Sequence, residues 1–141
     1  MSDPIKHECG VALIRLRKPL EFYREKYGTE LYGLKKLQML MNKQLNRGQD
    51  GAGLAAIKLN PEYGSRYIAR ERAIGSGAVG TLFDRLNKRY QSLNSEKVSN
   101  TTWLKKNYPY AGELLLGHLR YATHGKNSIE NVHPFLRQNN W

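Results

Sequence analysis

Cys9 is the chain's one cysteine, and Gly10 follows it directly at the head of the apolar run CGVALIRL. A lone cysteine is commonly a small buried hydrophobe, whereas its thiolate is a strong nucleophile where a base can take the proton. Removal of the eight residues ahead of it would place a thiol and a free α-amine on one residue. An α-amine titrates at roughly 7.7–8.0 and a thiol at roughly 8.5, so the amine can accept the thiol proton near neutral pH without a recruited histidine. Cys9 is therefore the candidate nucleophile, and Gly10 leaves the backbone clear for an approaching substrate.

A second constellation is Arg47-Gly48-Gln49-Asp50-Gly51-Ala52-Gly53. Three glycines in seven residues let a loop fold closely around a small ligand or a neighbouring strand, or simply stop a helix and turn. Arg47 and Asp50 can pair with each other and stiffen that turn. The third is His118-Leu119-Arg120-Tyr121-Ala122-Thr123-His124-Gly125, where an apolar strand runs into a loop. Arg120 carries a fork of donors matched to a carboxylate, which suits an amino-acid substrate. Strand alternation puts His118, Arg120 and Ala122 on one face and Leu119 and Tyr121 on the other. His118 reads as a hydrogen-bonded interior histidine, and Thr123 and His124 as loop residues placed for ligand contact. Four scattered histidines and one cysteine offer no zinc-ligand spacing, so no metal site is expected.

These segments need elements to hold them. The run from Cys9, CGVALIRL, suits a buried strand, ended by Arg15, Arg17 and Lys18 with Pro19. Leu31, Leu34, Leu37, Met41 and Leu45 share a helical face, with Gly48 as the stop. LAAIKL and Ser65 to Glu71 read as a hairpin around Asn60-Pro61 and Gly64. Val79, Leu82, Phe83, Leu86, Tyr90 and Leu93 mark a second helix. Asn94 to Thr102 reads as an irregular connection, and Glu113 to Tyr121 as a strand. Strand, helix, hairpin, helix, strand is an α+β order and not a doubly wound one. Residues 1–8 read as an extended leader and 9–141 as part of one domain, cut short at HPFLRQNNW.

The chain has 141 residues, with 23 Lys+Arg against 12 Asp+Glu and a formal charge of +11. A domain of this length buries enough surface to fold without disulfides. The basic excess is spread as +4, +4 and +3 over residues 1–50, 51–100 and 101–141, so no dedicated basic arm exists and nucleic acid is not the expected partner. The apolar runs fall far short of the roughly 20 residues that span a bilayer, and cysteine usage fits a reducing compartment, the cytoplasm.

Taken in series, CGVALIRL, LNRGQDGAGLAAI and GHLRYATHGKN resemble the glutaminase domain of class II glutamine amidotransferases, a branch of the N-terminal-nucleophile hydrolases. Within it, RGQD-x-AG behind a short leader is most similar to the amidophosphoribosyltransferase type, which serves purine biosynthesis. The resemblance implies a layered αββα fold, incomplete at the C-terminus, and hydrolysis of glutamine to glutamate and ammonia by Cys9. Arg120 would hold the substrate α-carboxylate, Thr123 and His124 would line the pocket, and Arg47, Gly10 and Tyr121 would support the site. The ammonia would aminate phosphoribosyl pyrophosphate in a further domain using Mg²⁺, in a homo-oligomeric full-length protein. The family's Asn-Gly oxyanion donors and amine-binding aspartate would lie past Trp141, which implies that residues 1–141 alone are inactive. Asn46 stands where that type usually shows histidine, and Gly51 where it shows serine or alanine. RYATHG is equally similar to the sugar-phosphate aminating branch, exemplified by glucosamine-6-phosphate synthase. A regulatory module keeping the fold without catalysis is the alternative outside enzymology.

Overall fold

The structure, a computed structural model, describes residues 8–123 and 125–137. The leader residues 1–7 and His124 therefore lie outside the described residues. β1 spans Gly10–Arg15, α1 Leu20–Tyr27, α2 Tyr32–Lys43, β2 Gly51–Ile57, β3 Ile68–Ile74, α3 Ala78–Gln91, α4 Thr101–Asn107 and β4 Leu114–Arg120, followed by a single 3-10 turn at Ile129–Asn131. The strands form one antiparallel sheet in the order β1-β4-β2-β3. The α+β class is thus observed, as a four-stranded sheet with helices packed on one face.

That packing follows from period. β4 alternates between half-buried and buried residues, and its buried set, Leu115, Gly117 and Leu119, faces the helices. α2 brings Leu34, Leu37 and Met41 against β1 and β4, while α3 brings Val79, Leu82, Phe83 and Leu86 against β2 and β3. Each such side chain removed from water contributes roughly 1.5–3 kcal/mol. The apolar spacing predicts both helices within three residues of their observed ends. Gly48 is not the stop of the first, because α2 already ends at Lys43.

Two helices escape the apolar pattern. α1 follows Pro19, has Glu21 in its first turn and ends at Gly28, whose left-handed backbone (φ 74°) turns its N–H onto the Arg24 carbonyl. α4 starts inside the stretch expected to be irregular, because the Asn100 side chain accepts the Trp103 N–H at 3.0 Å and so caps it. Neither buries more than two side chains, so neither shows a strong stripe. Among the described residues no helix is long and apolar enough to cross a membrane.

Among the described residues, the sheet face away from the helices is covered on one side only. Residues 129–136 cross it as a strap over β2 and β3, burying Val132 and Pro134. Arg72 Nη1 donates to the Val132 carbonyl at 3.1 Å and Arg70 Nη1 to the Pro134 carbonyl at 3.4 Å. Over β1 no described residue covers the face, and Val11 is 60% and Leu13 63% exposed.

Candidate functional site

Cys9 precedes β1 by one residue, one step past the pairing of Gly10 with Leu119. β4 is last in sequence yet lies between β1 and β2, and this insertion carries residues 120–123 to the side of Cys9. The exposed thiol accepts the Tyr121 N–H at 3.4 Å and faces the Tyr121 carbonyl at 3.8 Å. Cys9 and the third constellation thus meet at one end of the sheet.

Asp50 braces the loop after β4 from the head of the neighbouring strand. Its N–H donates to the Arg120 carbonyl at 3.0 Å, its Oδ2 accepts the Ala122 N–H at 2.8 Å, and its carbonyl accepts the Gly75 N–H at 3.0 Å. The expected Arg47–Asp50 pair does not form. Arg47 instead reaches Glu8, with Nη2 to Oε2 at 3.3 Å, because the Asp50 carboxylate is turned towards the loop after β4. Both members of the Arg47–Glu8 pair are half exposed, so the pair is worth about 0–1 kcal/mol.

The expected loop is shorter than the sequence suggests, because Gly51 to Gly53 are already in β2, and Gly48 and Gly53 answer to backbone crowding and not to positive φ. A Cβ on Gly48 would sit 2.7 Å from the Arg120 carbonyl carbon, and one on Gly53 would sit 1.9 Å from the His133 oxygen. The neighbouring strand and the strap therefore account for them. Gly10 faces Gln44 Oε1, 2.6 Å from where its Cβ would be, and the Gln44 amide donates to the Val11 carbonyl at 3.3 Å. The end of α2 thus packs on the start of β1 directly beside Cys9.

Arg120 ends β4 on the half-covered face with His118, as alternation predicts. Arg120 Nη1 donates to the Asn131 carbonyl at 2.5 Å, tying the guanidinium to the strap. Thr123 is exposed, and its N–H closes a tight turn onto the Tyr121 carbonyl at 3.1 Å. His118 is interior but not held as expected: among the described residues no partner meets its Nδ1, and its ring lies 4.8 Å from that of His133. Burial, then His133 and Arg120, push its pKa down to about 4, so it is neutral at pH 7. Gln44 and Asn131 are members that sequence reasoning passes over, since an amide at a helix end and a backbone carbonyl carry no pattern. Among the described residues no cluster of three or more His, Cys, Asp or Glu could hold a metal ion.

Part of the chain is similar to curated amidophosphoribosyltransferases. Those of two Staphylococcus epidermidis strains are each 33% identical over 91 residues, which is 64% of this chain and 13% of theirs. That of Lacticaseibacillus casei is 40% identical over 63 residues, 44% of this chain and 31% of its own. The chain thus matches well under two thirds of these relatives' length. No protein-family model matches it. No solved structure matches it either.

Proposed function

We propose that the chain is the N-terminal part of a glutamine-hydrolysing domain of the amidophosphoribosyltransferase type. The observation that carries this reading is the seating of the Cys9 sulfur on the Tyr121 backbone, one residue from Arg120 and across from a strand end pinned by Asp50. A nucleophile, a carboxylate-binding cation and a rigid loop are the parts that glutamine hydrolysis needs at one place. The partial similarity to amidophosphoribosyltransferases supports the same reading.

In the proposed reaction, residues 1–8 are removed and the new α-amine of Cys9 takes the thiol proton. The thiolate attacks the side-chain amide carbon of glutamine, and the C–N bond breaks as the amide nitrogen takes that proton from the α-amine and leaves as ammonia. Water then adds to the thioester, releasing glutamate and returning the thiol. Arg120 holds the α-carboxylate, with Thr123 and His124 beside it. Arg47, freed from Glu8 by the cleavage, supports the Cys9 end together with Gly10 and Tyr121. A second sheet, laid on the open face over Val11 and Leu13, would complete the αββα layers and supply oxyanion donors, each typically worth about 10²–10³ in turnover.

Ammonia would be used on phosphoribosyl pyrophosphate in a further domain of a cytoplasmic homo-oligomer. Mg²⁺, which one or two carboxylates and substrate phosphates commonly hold, would be bound with the phosphoribosyl substrate in that further domain. The test is glutamate release from glutamine by the protein expressed from its complete gene, with mass spectrometry of the amino terminus. Release that disappears in Cys9→Ala, with Cys9 as the first residue, is expected; equal release from Cys9→Ala removes the nucleophile assigned here.

A further inference from the structure

At the end of the sheet away from Cys9, about 17 Å along β1, the chain opens into a cleft of 430 Å³ between the β1–α1 turn, the β2–β3 loop and α4. Six cations line it, Arg15, Arg17, Lys18, Lys58, Lys105 and Lys106, against the three carboxylates Glu21, Glu62 and Glu113. The carboxylates are already engaged. Glu113 takes Lys105 Nζ at 2.5 Å and the Leu59 N–H at 2.8 Å, Glu62 takes Lys106 at 3.7 Å, and Glu21 accepts the Thr101 hydroxyl. Among the described residues Arg15, Arg17 and Lys18 meet no carboxylate within ion-pair distance.

The lining includes an ammonium that packing alone does not call for. Lys58 is only 4% exposed, and its Nζ donates to the Lys105 carbonyl, beside the Lys105 ammonium. Burial first, and then Lys105, lower its pKa, with Glu113 opposing. A buried cation with one carbonyl acceptor and a carboxylate shared with Lys105 is costly, and an apolar side chain would fill the same volume at lower cost. A multivalent anion entering the cleft would offset the repulsion between Lys58 and Lys105 and engage the three rim cations together.

We propose that this cleft binds a small multivalent oxyanion of the phosphate-ester or pyrophosphate class, with Lys58 as an inner contact and Arg15, Arg17 and Lys18 closing over it. The volume lies within the 300–1,000 Å³ of ordinary small-ligand sites and exceeds what a lone ion fills. A nucleic-acid backbone fits less well, since it needs a continuous basic track and the charge here is spread evenly along the chain. The site shares no residue with the Cys9 end and does not depend on glutamine chemistry.

The probe is inorganic pyrophosphate, titrated calorimetrically into the full chain at constant ionic strength, with sodium chloride, sulfate and a single-stranded oligonucleotide as separate arms. Saturable binding of one pyrophosphate per chain is expected, weakened at least tenfold in Arg17→Glu/Lys18→Glu, whose sites are exposed. Lys58→Met should weaken it similarly. If Lys58→Met fails to fold, the double variant decides. A response reproduced by chloride or sulfate, affinity unchanged in the double variant, or binding of the oligonucleotide alone would overturn the proposal.

Discussion

Asp50 Oδ2 accepts the backbone N–H of Ala122 at 2.8 Å across 72 residues of sequence, while the Asp50 N–H donates to the Arg120 carbonyl at 3.0 Å. One residue thus fixes both the last rung of the β2–β4 ladder and the first turn of the loop beside Cys9. A charged acceptor on a half-buried amide is among the stronger single hydrogen bonds.

Asp50→Ala is expected to cost about 1–3 kcal/mol in urea denaturation, because it leaves the Ala122 amide without its acceptor. Asp50→Asn keeps an oxygen there and should cost less than half as much. Equal losses from the two variants would mean that the carboxylate acts elsewhere.

Arg120→Lys replaces a planar fork by a point charge. If Arg120 holds the substrate carboxylate, the KM for glutamine in the complete protein should rise about tenfold, equivalent to about 1.4 kcal/mol, with kcat within about twofold. A fall in kcat at unchanged KM would assign Arg120 to holding the strap through Asn131 instead.

His118 has its pKa lowered from 6.5 to about 4 in the folded chain. The unfolded chain therefore binds the proton more readily between those values, so this residue's contribution to stability is complete above about pH 6.5 and fades as pH falls towards 4. Denaturation midpoints measured across that range should decline less steeply in His118→Gln than in the parent. Parallel slopes would show that this imidazole does not drive the acid limb.

Gly53→Ala forces a methyl into the strap at the His133 carbonyl, whereas Gly80, exposed within α3, has nothing within 4 Å of a Cβ. The first change should destabilise by about 1–3 kcal/mol, and the second should stabilise by roughly 0.5–1 kcal/mol through helix propensity and a stiffer unfolded chain. Opposite signs in paired thermal melts are the expected result.

The features legible in the sequence are those with a local period. The faces of α2 and α3, the existence of the β2–β3 hairpin and the alternation of β4 depend on residues a few positions apart, although β2 starts three residues before the LAAIKL run and β3 three residues after Ser65. The candidate residues Cys9, Arg47, Arg120, Thr123 and His124 stood out by type, and the α+β class by element order. Tertiary structure decided the rest. That β4 enters between β1 and β2 follows from which apolar faces meet α2 and α3, and this alone brings Tyr121 to a thiol 112 residues away. Asp50 accepts from the Ala122 amide and not from Arg47, and a backbone N–H, which carries no side-chain signature, becomes its partner only once the strands have paired. The close approaches that explain Gly48 and Gly53 are likewise distances between segments remote in sequence, and no spacing along the chain encodes them.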